Sequence, residues 1–165
     1  MQFTFLKTLL AGLAGGFALN LTMLLTFRLI GFGWQGGDIL LDPAIQSPKL
    51  IAVWTKLEPL PLVVNSPAPI IAGLMLFAVA HAFMYRWLAP AWPAGIASRA
   101  LRLALLVFVL SFAFWEFFTP FNQFGEPLAL IALELVFWGA IALAEGFAIS
   151  AVMEAGRQGL PPRKG

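Results

Sequence analysis

The side chains best suited to proton or cation chemistry lie inside long apolar stretches of the chain. Glu134, Glu145 and His81 are surrounded by aliphatic and aromatic residues, and Asn20 is a neutral companion. A charged side chain costs about 2.5–3.5 kcal/mol at the centre of a bilayer on insertion scales, so each one needs a reason. These four residues are therefore the polar intramembrane candidates.

Two of these carboxylates have helical spacing. Glu134 and Glu145 are eleven positions apart, which is three helical turns plus about 20°, or roughly 16 Å along one face. If that face points inward, they form with His81 a discontinuous polar ladder, and proton relays are built from such Asp, Glu and His chains. The alternative is that each glutamate is protonated or hydrogen-bonded to a neighbouring helix, for example to Asn20 or Ser111.

The stretch 115–138 contains two more glutamates. Glu116 and Arg28 both fall near one membrane interface, where they form a candidate ion pair. Glu126 precedes Pro127 at a predicted hairpin tip, so we expect it to be exposed to water.

His81 invites a cofactor hypothesis, because a lone intramembrane histidine can ligate haem or a chlorophyll-type pigment. The sequence offers little support: Met84 is one turn away on the same helix, and the bulky Phe77 stands four positions before the histidine. We expect a hydrogen bond from His81 to Glu145, Glu134 or a backbone carbonyl, and we predict no cofactor.

The sequence lacks the residue patterns of other functional sites. The chain has no cysteine, which excludes disulfides, iron–sulfur clusters and thiolate metal sites. No metal-binding, phosphate-binding or Ser/His/Asp pattern is present, so we predict neither a metal site nor catalytic residues and do not expect an enzyme. The net charge is only +2 and the basic residues are scattered, so no nucleic acid partner is predicted.

The elements that must position these residues are membrane helices. Hydrophobic residues make up 61% of the chain and charged residues 11%, against about 25% charged in soluble domains. Stretches of about 20 apolar residues span a bilayer. Four such stretches, about 6–29, 69–88, 101–118 and 128–153, predict an all-α, polytopic membrane protein whose spans form a four-helix bundle. The bundle belongs to a single membrane domain, 1–156, which is followed by a short basic cytoplasmic tail, 157–165.

Charge asymmetry predicts the orientation. Cytoplasmic loops collect Lys and Arg, and the larger set falls on the side of both termini: Lys7, Arg86, Arg99, Arg102, Arg157, Arg163 and Lys164, against Arg28, Lys49 and Lys56. We therefore expect both termini in the cytoplasm, a non-cytoplasmic loop at 33–65 and a bacterial inner membrane location.

Residues 48–58 in that loop predict a short amphipathic helix that lies in the membrane interface. A lid over the bundle, or a re-entrant pore loop using Leu60 to Val64, are alternatives. Pro120 is expected to end the third span and to begin an eight-residue turn, 119–126.

Small residues indicate where helices pack closely, as they commonly do in membranes. Gly12 and Gly16 form a GxxxG pattern in the first span, and Gly139 and Gly146 form a similar stripe in the fourth.

Three functions remain open from the sequence. The first is a non-enzymatic accessory or assembly component, with the lipid bilayer and other membrane subunits or a homo-oligomer as partners. The second is a small proton or cation conductor that uses the Glu/His ladder, and the third is a pigment or haem carrier centred on His81.

Overall fold

The computed structural model describes residues 4–34, 37–57 and 66–156, and this part of the chain is helical apart from short connections. The longer helices are α1 (Phe5–Gly31), α2 (Pro48–Ala52, continued by Val53–Leu57), α3 (Pro67–Ala91), α4 (Ile96–Phe124) and α5 (Leu128–Glu154). Four of the helices are long and apolar enough to cross a membrane; α2 and a three-residue 3-10 helix, Ile39–Leu41, are not. The predicted four-span helical bundle is confirmed.

The spans run antiparallel, with α1 and α5 at the centre. Helix α1 packs against both α3 and α5, and α4 packs against the other side of α5. We call the end where α1 and α4 finish the loop end, and the opposite end the terminal end. At the terminal end, Lys7 Nζ donates to the carbonyl of Ala155 at 2.7 Å, which joins the beginning of α1 to the end of α5.

The GxxxG pattern of α1 lies against α3. A Cβ atom at Gly12 would fall 2.6 Å from Val79 Cα, and one at Gly16 would fall 3.1 Å from Met75 Cα. The Gly12 distance is shorter than real Cβ atoms show and the Gly16 distance is at the tight end of their range, so a larger side chain at Gly12 would push the two helices apart.

The two glycines of α5 have different surroundings. A Cβ at Gly146 would lie 2.7 Å from the carbonyl oxygen of Ala100 in α4, whereas one at Gly139 would meet only the ring of Phe108, at 4.0 Å. Gly146 therefore marks the tight α4–α5 contact, and Gly139 lies where the two helices diverge.

Helix α4 continues past Pro120 to Phe124, so the prediction that this span ends near 118 and is followed by an eight-residue turn is wrong. The helix widens to π-type turns over Phe117–Phe121, and such turns relieve the crowding that a proline ring causes in an α-helix. The chain reverses only at Gly125, whose φ of +66° is readily adopted by glycine.

Helix α2 lies across the loop end of the bundle. Ser47 caps its first turn, accepting from Leu50 N–H at 3.1 Å, and the Ser47 hydroxyl donates to the Phe124 carbonyl at 2.7 Å. Leu50 is buried, and Trp54 packs against the core of the spans. The helix predicted at 48–58 is present over 48–57 and lies over the loop end, and its location in the membrane interface stays a prediction. Glu58 and Leu60 to Val64 lie outside the described residues.

Candidate functional site

Three glutamates meet beneath α2 at the loop end. Glu116 comes from α4, Glu126 from the turn after it, and Glu134 from the second turn of α5, and each has a carboxyl oxygen within 4.8 Å of the others. Their exposed fractions are 1%, 2% and 4%. We call these three residues the acidic cluster.

The turn between α4 and α5 brings the cluster together. Gly125 N–H donates to Phe121 O at 3.0 Å and Glu126 N–H to Pro120 O at 3.1 Å, so the chain folds back over the end of α4. Glu126 is thereby carried inward, and the expectation that it is exposed to water is wrong. The turn supplies a third carboxylate to the two that the helices already place at one level.

Only part of the cluster is satisfied by neighbouring donors. Trp138 Nε1–H donates to Glu116 Oε1, and the Gln46 amide donates to Glu126 Oε1. The Oε2 atoms of Glu116 and Glu126 are buried without a donor among the described residues. Buried polar atoms normally have a partner, so these two oxygens call for a proton or another positive group.

The cluster also lacks a fixed counter-charge. The carboxyl groups of Glu116 and Glu134 have oxygens within 4.8 Å of each other, so two negative charges there would repel, and a proton on either group would relieve the repulsion. Within residues 4–34, 37–57 and 66–156, no Lys or Arg forms an ion pair with any of the three. Buried carboxylates at this spacing can all remain ionised only if a cation binds between them; without one, at least one of them carries a proton.

Glu126, which lies between the spans, has an altered acidity. Burial raises the pKa of its carboxyl to about 6 from an ordinary value of 4.5. The Gln46 hydrogen bond opposes this rise, and the charge of Glu116 adds to it. The nearest ammonium on α2, that of Lys49, is directed to the carbonyl of Gln123.

The acidic cluster opens into a cavity of about 480 Å³ that is otherwise mostly apolar. Its wall includes aromatic rings from three of the spans, from α2 and from the connections: Phe27, Phe32, Trp54, Trp115, Phe124 and Trp138. This volume falls in the range of small-molecule sites, about 300–1,000 Å³. The π-type turns of the spans lie toward this half of the bundle, at Leu24–Gly31, Phe108–Ala113 and Phe117–Phe121, and such turns are frequent at functional sites.

The candidate pair of Arg28 and Glu116 is not formed, so that prediction is wrong. The Arg28 guanidinium instead donates to the carbonyls of Gly33 and Trp34 and stacks over the Trp34 ring. The chain after α1 turns back on itself and offers these carbonyls within reach of the side chain. Glu116 faces inward, toward Trp138.

His81 and Glu145 form a second buried polar site, nearer the terminal end. His81 Nδ1 lies 2.8 Å from Glu145 Oε1, and the ring of Phe77 packs edge-on against the imidazole with centroids 4.1 Å apart. Asn20 does not join them, because its amide donates to Gly16 O in its own helix at 2.8 Å. Neither the prediction of no cofactor nor the alternative of haem or pigment ligation by His81 is tested by this geometry.

The ladder predicted as discontinuous has an apolar gap between Glu134 and Glu145. Glu134 belongs to the acidic cluster and Glu145 to the histidine site, and the buried side chains of Phe137, Ile141 and Ala142 lie between them on α5. We call these three residues the apolar layer. It separates the two polar sites.

A third polar site at the terminal end was missed by the sequence reasoning. Arg99 of α4 forms an ion pair with Glu154 of α5, and both side chains are buried. The Tyr85 hydroxyl donates to the same carboxyl oxygen of Glu154 at 2.8 Å. In the sequence, Arg99 serves only as a signal of orientation. Arg99 is near the beginning of α4 and Glu154 is at the end of α5, so an antiparallel pairing of these two helices predicts that the two side chains lie close together.

The acidic cluster also had an overlooked signal in the sequence. Glu116 and Glu134 each stand nine positions from Gly125 (125 − 116 = 9; 134 − 125 = 9). In an antiparallel pair joined at Gly125, such positions reach the same level.

No protein-family model, curated protein or solved structure matches this chain.

Proposed function

We propose that this integral membrane protein binds a small cation at the acidic cluster and releases protons in exchange. The observation that carries the proposal is the meeting of three buried carboxylates, two of them with an oxygen that has no donor from the described residues, inside a cavity. A structural cluster would be expected to contain its own cation.

Protons and the cation compete because each neutralises the negative charge of the buried carboxylates. In the protonated state, a proton on Glu116 or Glu134 relieves their repulsion and the cluster carries little charge. In the cation-bound state, the ligand supplies the positive charge and the protons leave. The titratable groups that face Glu126 are Glu116 from α4 and Glu134 from α5, while the contact from the α2 side is the neutral Gln46.

The cavity favours access from the loop end. Its wall includes residues of α2, which covers the loop end and is held to the end of α4 by hydrogen bonds from Ser47 and Lys49, so a ligand that enters from this end must pass beside or displace α2. The apolar layer lies on the other side of the acidic cluster, before His81 and Glu145. Binding and proton exchange at one end therefore have more support than conduction along a continuous Glu/His ladder.

Proton release on cation binding tests the proposal. Purified protein in weakly buffered maltoside detergent would be mixed with sodium, calcium or tetramethylammonium chloride while a pH-sensitive dye records released protons. We expect release by at least one cation in the native protein, a large reduction in Glu134→Gln, and native behaviour in Glu145→Gln. Glu145 is the matched control, because it is an equally buried glutamate of the same helix outside the cavity.

Folding of both variants would be checked by far-UV circular dichroism and thermal unfolding. The absence of proton release with every cation would refute the proposal. Equal release from Glu134→Gln and the native protein would refute the assignment of the site.

We further propose, as a second candidate, that the protein is a non-enzymatic accessory subunit of a membrane complex. The observation that favours it is an open apolar groove between α4 and α5, of about 360 Å³, at the place where Gly139 makes no close contact. The groove is lined by Leu101, Ala104, Leu105, Phe108, Gly139, Ala142 and Leu143. A small residue in an open groove lets another membrane helix approach closely.

Gly139→Leu would fill this groove without touching the acidic cluster. If a partner helix lies there, the complex isolated from native membranes in mild detergent should lose mass in the variant, as measured by light scattering. An isolated monomer in both forms would refute this candidate.

A further inference from the structure

The lining of the acidic cavity distinguishes between classes of cation. Metal ions such as calcium require about six to eight oxygen ligands in a compact shell, and magnesium requires a near-octahedral set. The described cavity wall provides three carboxylates on one side, but most of the remaining wall is aromatic or aliphatic. Such a wall offers a metal ion few further ligands.

Aromatic faces suit a different cation. Alkylated ammonium groups are attracted to the negative faces of Trp, Tyr and Phe rings, and cages of such rings recognise quaternary ammonium ligands. Trp54 of α2 lines the cavity and meets Phe32 edge-on, with ring centroids 5.2 Å apart. At the outer edge of the same wall, the Lys49 ammonium lies 5.9 Å from the centre of the Phe124 ring.

The cavity is also larger than a bare ion needs. At about 480 Å³ it accommodates an organic cation together with its alkyl substituents. The carboxylates would neutralise the charge, and the rings and aliphatic side chains would cover the alkyl groups.

We propose that the ligand of this cavity is an organic ammonium ion, held between the carboxylates of the acidic cluster and an aromatic wall that includes Trp54. This inference rests on the proposed function and names its substrate class. The ammonium could belong to a free amine or to a lipid headgroup, and the chemistry of recognition is the same for both.

Calorimetric titration of the purified full chain in maltoside detergent tests the inference. We expect saturable binding of tetramethylammonium at matched ionic strength, weakened about 5- to 30-fold in Trp54→Leu through loss of one cation–π contact. Trp54→Phe should retain most of the affinity. Trp87→Leu is the matched control, because Trp87 is 75% exposed and lies near the terminal end of α3.

The outcomes separate this inference from the proposed function. Binding and proton release with sodium or calcium, but not with tetramethylammonium, would overturn the ammonium assignment and leave cation exchange standing. The absence of binding and of proton release with all three cations would refute both the ammonium assignment and the proposed cation exchange. Equal affinity in Trp54→Leu, Trp54→Phe and the native protein would also overturn the aromatic assignment.

Competition identifies the source of the ammonium. Displacement of tetramethylammonium by short-chain phosphatidylcholine, but not by phosphocholine, would support a lipid headgroup. Displacement by both would support a free ammonium compound.

Discussion

The two glycines of α5 provide a matched pair for testing the packing. Gly146→Ala places a Cβ 2.7 Å from the Ala100 carbonyl oxygen and 3.3 Å from Ala104 Cβ, whereas Gly139→Ala meets nothing closer than the Phe108 ring at 4.0 Å. An ordinary carbon–oxygen contact is longer by roughly half an ångström, so α4 must move away. Overpacking of this kind typically costs about 1–3 kcal/mol.

Both variants share the gain from replacing glycine inside a helix, about 0.5–1 kcal/mol. This gain cancels when the two are compared, so Gly146→Ala should be less stable than Gly139→Ala by about 1–3 kcal/mol. The measurement is the free energy of unfolding in mixed detergent micelles titrated with sodium dodecyl sulfate and followed by far-UV circular dichroism. Two variants with equal stability would show that α4 and α5 are not in tight contact at Gly146.

Three further predictions concern the buried polar groups. Arg99→Met removes the cation paired with Glu154 and should lower stability by about 3 kcal/mol, whereas Arg102→Met, at an exposed position, should change unfolding little. His81→Leu leaves a carboxylate without its imidazole partner and should cost about 1–3 kcal/mol, and His81→Gln, which still donates, should cost less in the same assay. Burial raises the pKa of the Glu126 carboxyl from 4.5 to about 6. The neutral carboxyl therefore stabilises the fold fully below pH 4.5. This contribution to the free energy of unfolding, at most about 2 kcal/mol, is lost as the pH rises through 6. Thermal unfolding of Glu126→Gln between pH 4 and 7 should lack that slope, and an unchanged slope would contradict the assignment.

Hydropathy predicted the spans because a span is defined by the length and composition of one continuous stretch of the chain. A helix must cover the hydrocarbon core whichever neighbours it has, so length and composition locate it in a single sequence. Glycine spacing likewise indicated a close helix contact along α1, because close approach requires small residues at every fourth position of one helix, but it did not identify α3 as the partner. Gly139 belongs to the same pattern and lacks the contact, since only the positions of both helices decide where they diverge.

The acidic cluster could not be found in this way, because it depends on where the helices end. A proline inside a helix predicts an end near 118, but π-type turns carry α4 through Pro120 to Phe124. Those extra residues shorten the turn and draw Glu126 inward. Depth along one span was enough to flag Glu134 as buried, but its partners depended on this turn.

The apolar layer also determines how the membrane voltage acts on the protein. Glu134 is the seventh residue of a helix of 27 residues, so the acidic cluster lies about 9 Å along a span of roughly 40 Å. A monovalent cation that enters from the loop end would cross about a quarter of the electric field, which is worth roughly 0.6 kcal/mol at 100 mV, and a proton released in exchange to the same end offsets this work. Most of the potential falls beyond the cluster, across the apolar layer and the remainder of α5. Occupancy of the cavity should therefore respond to ligand concentration and pH far more than to the electrical state of the membrane.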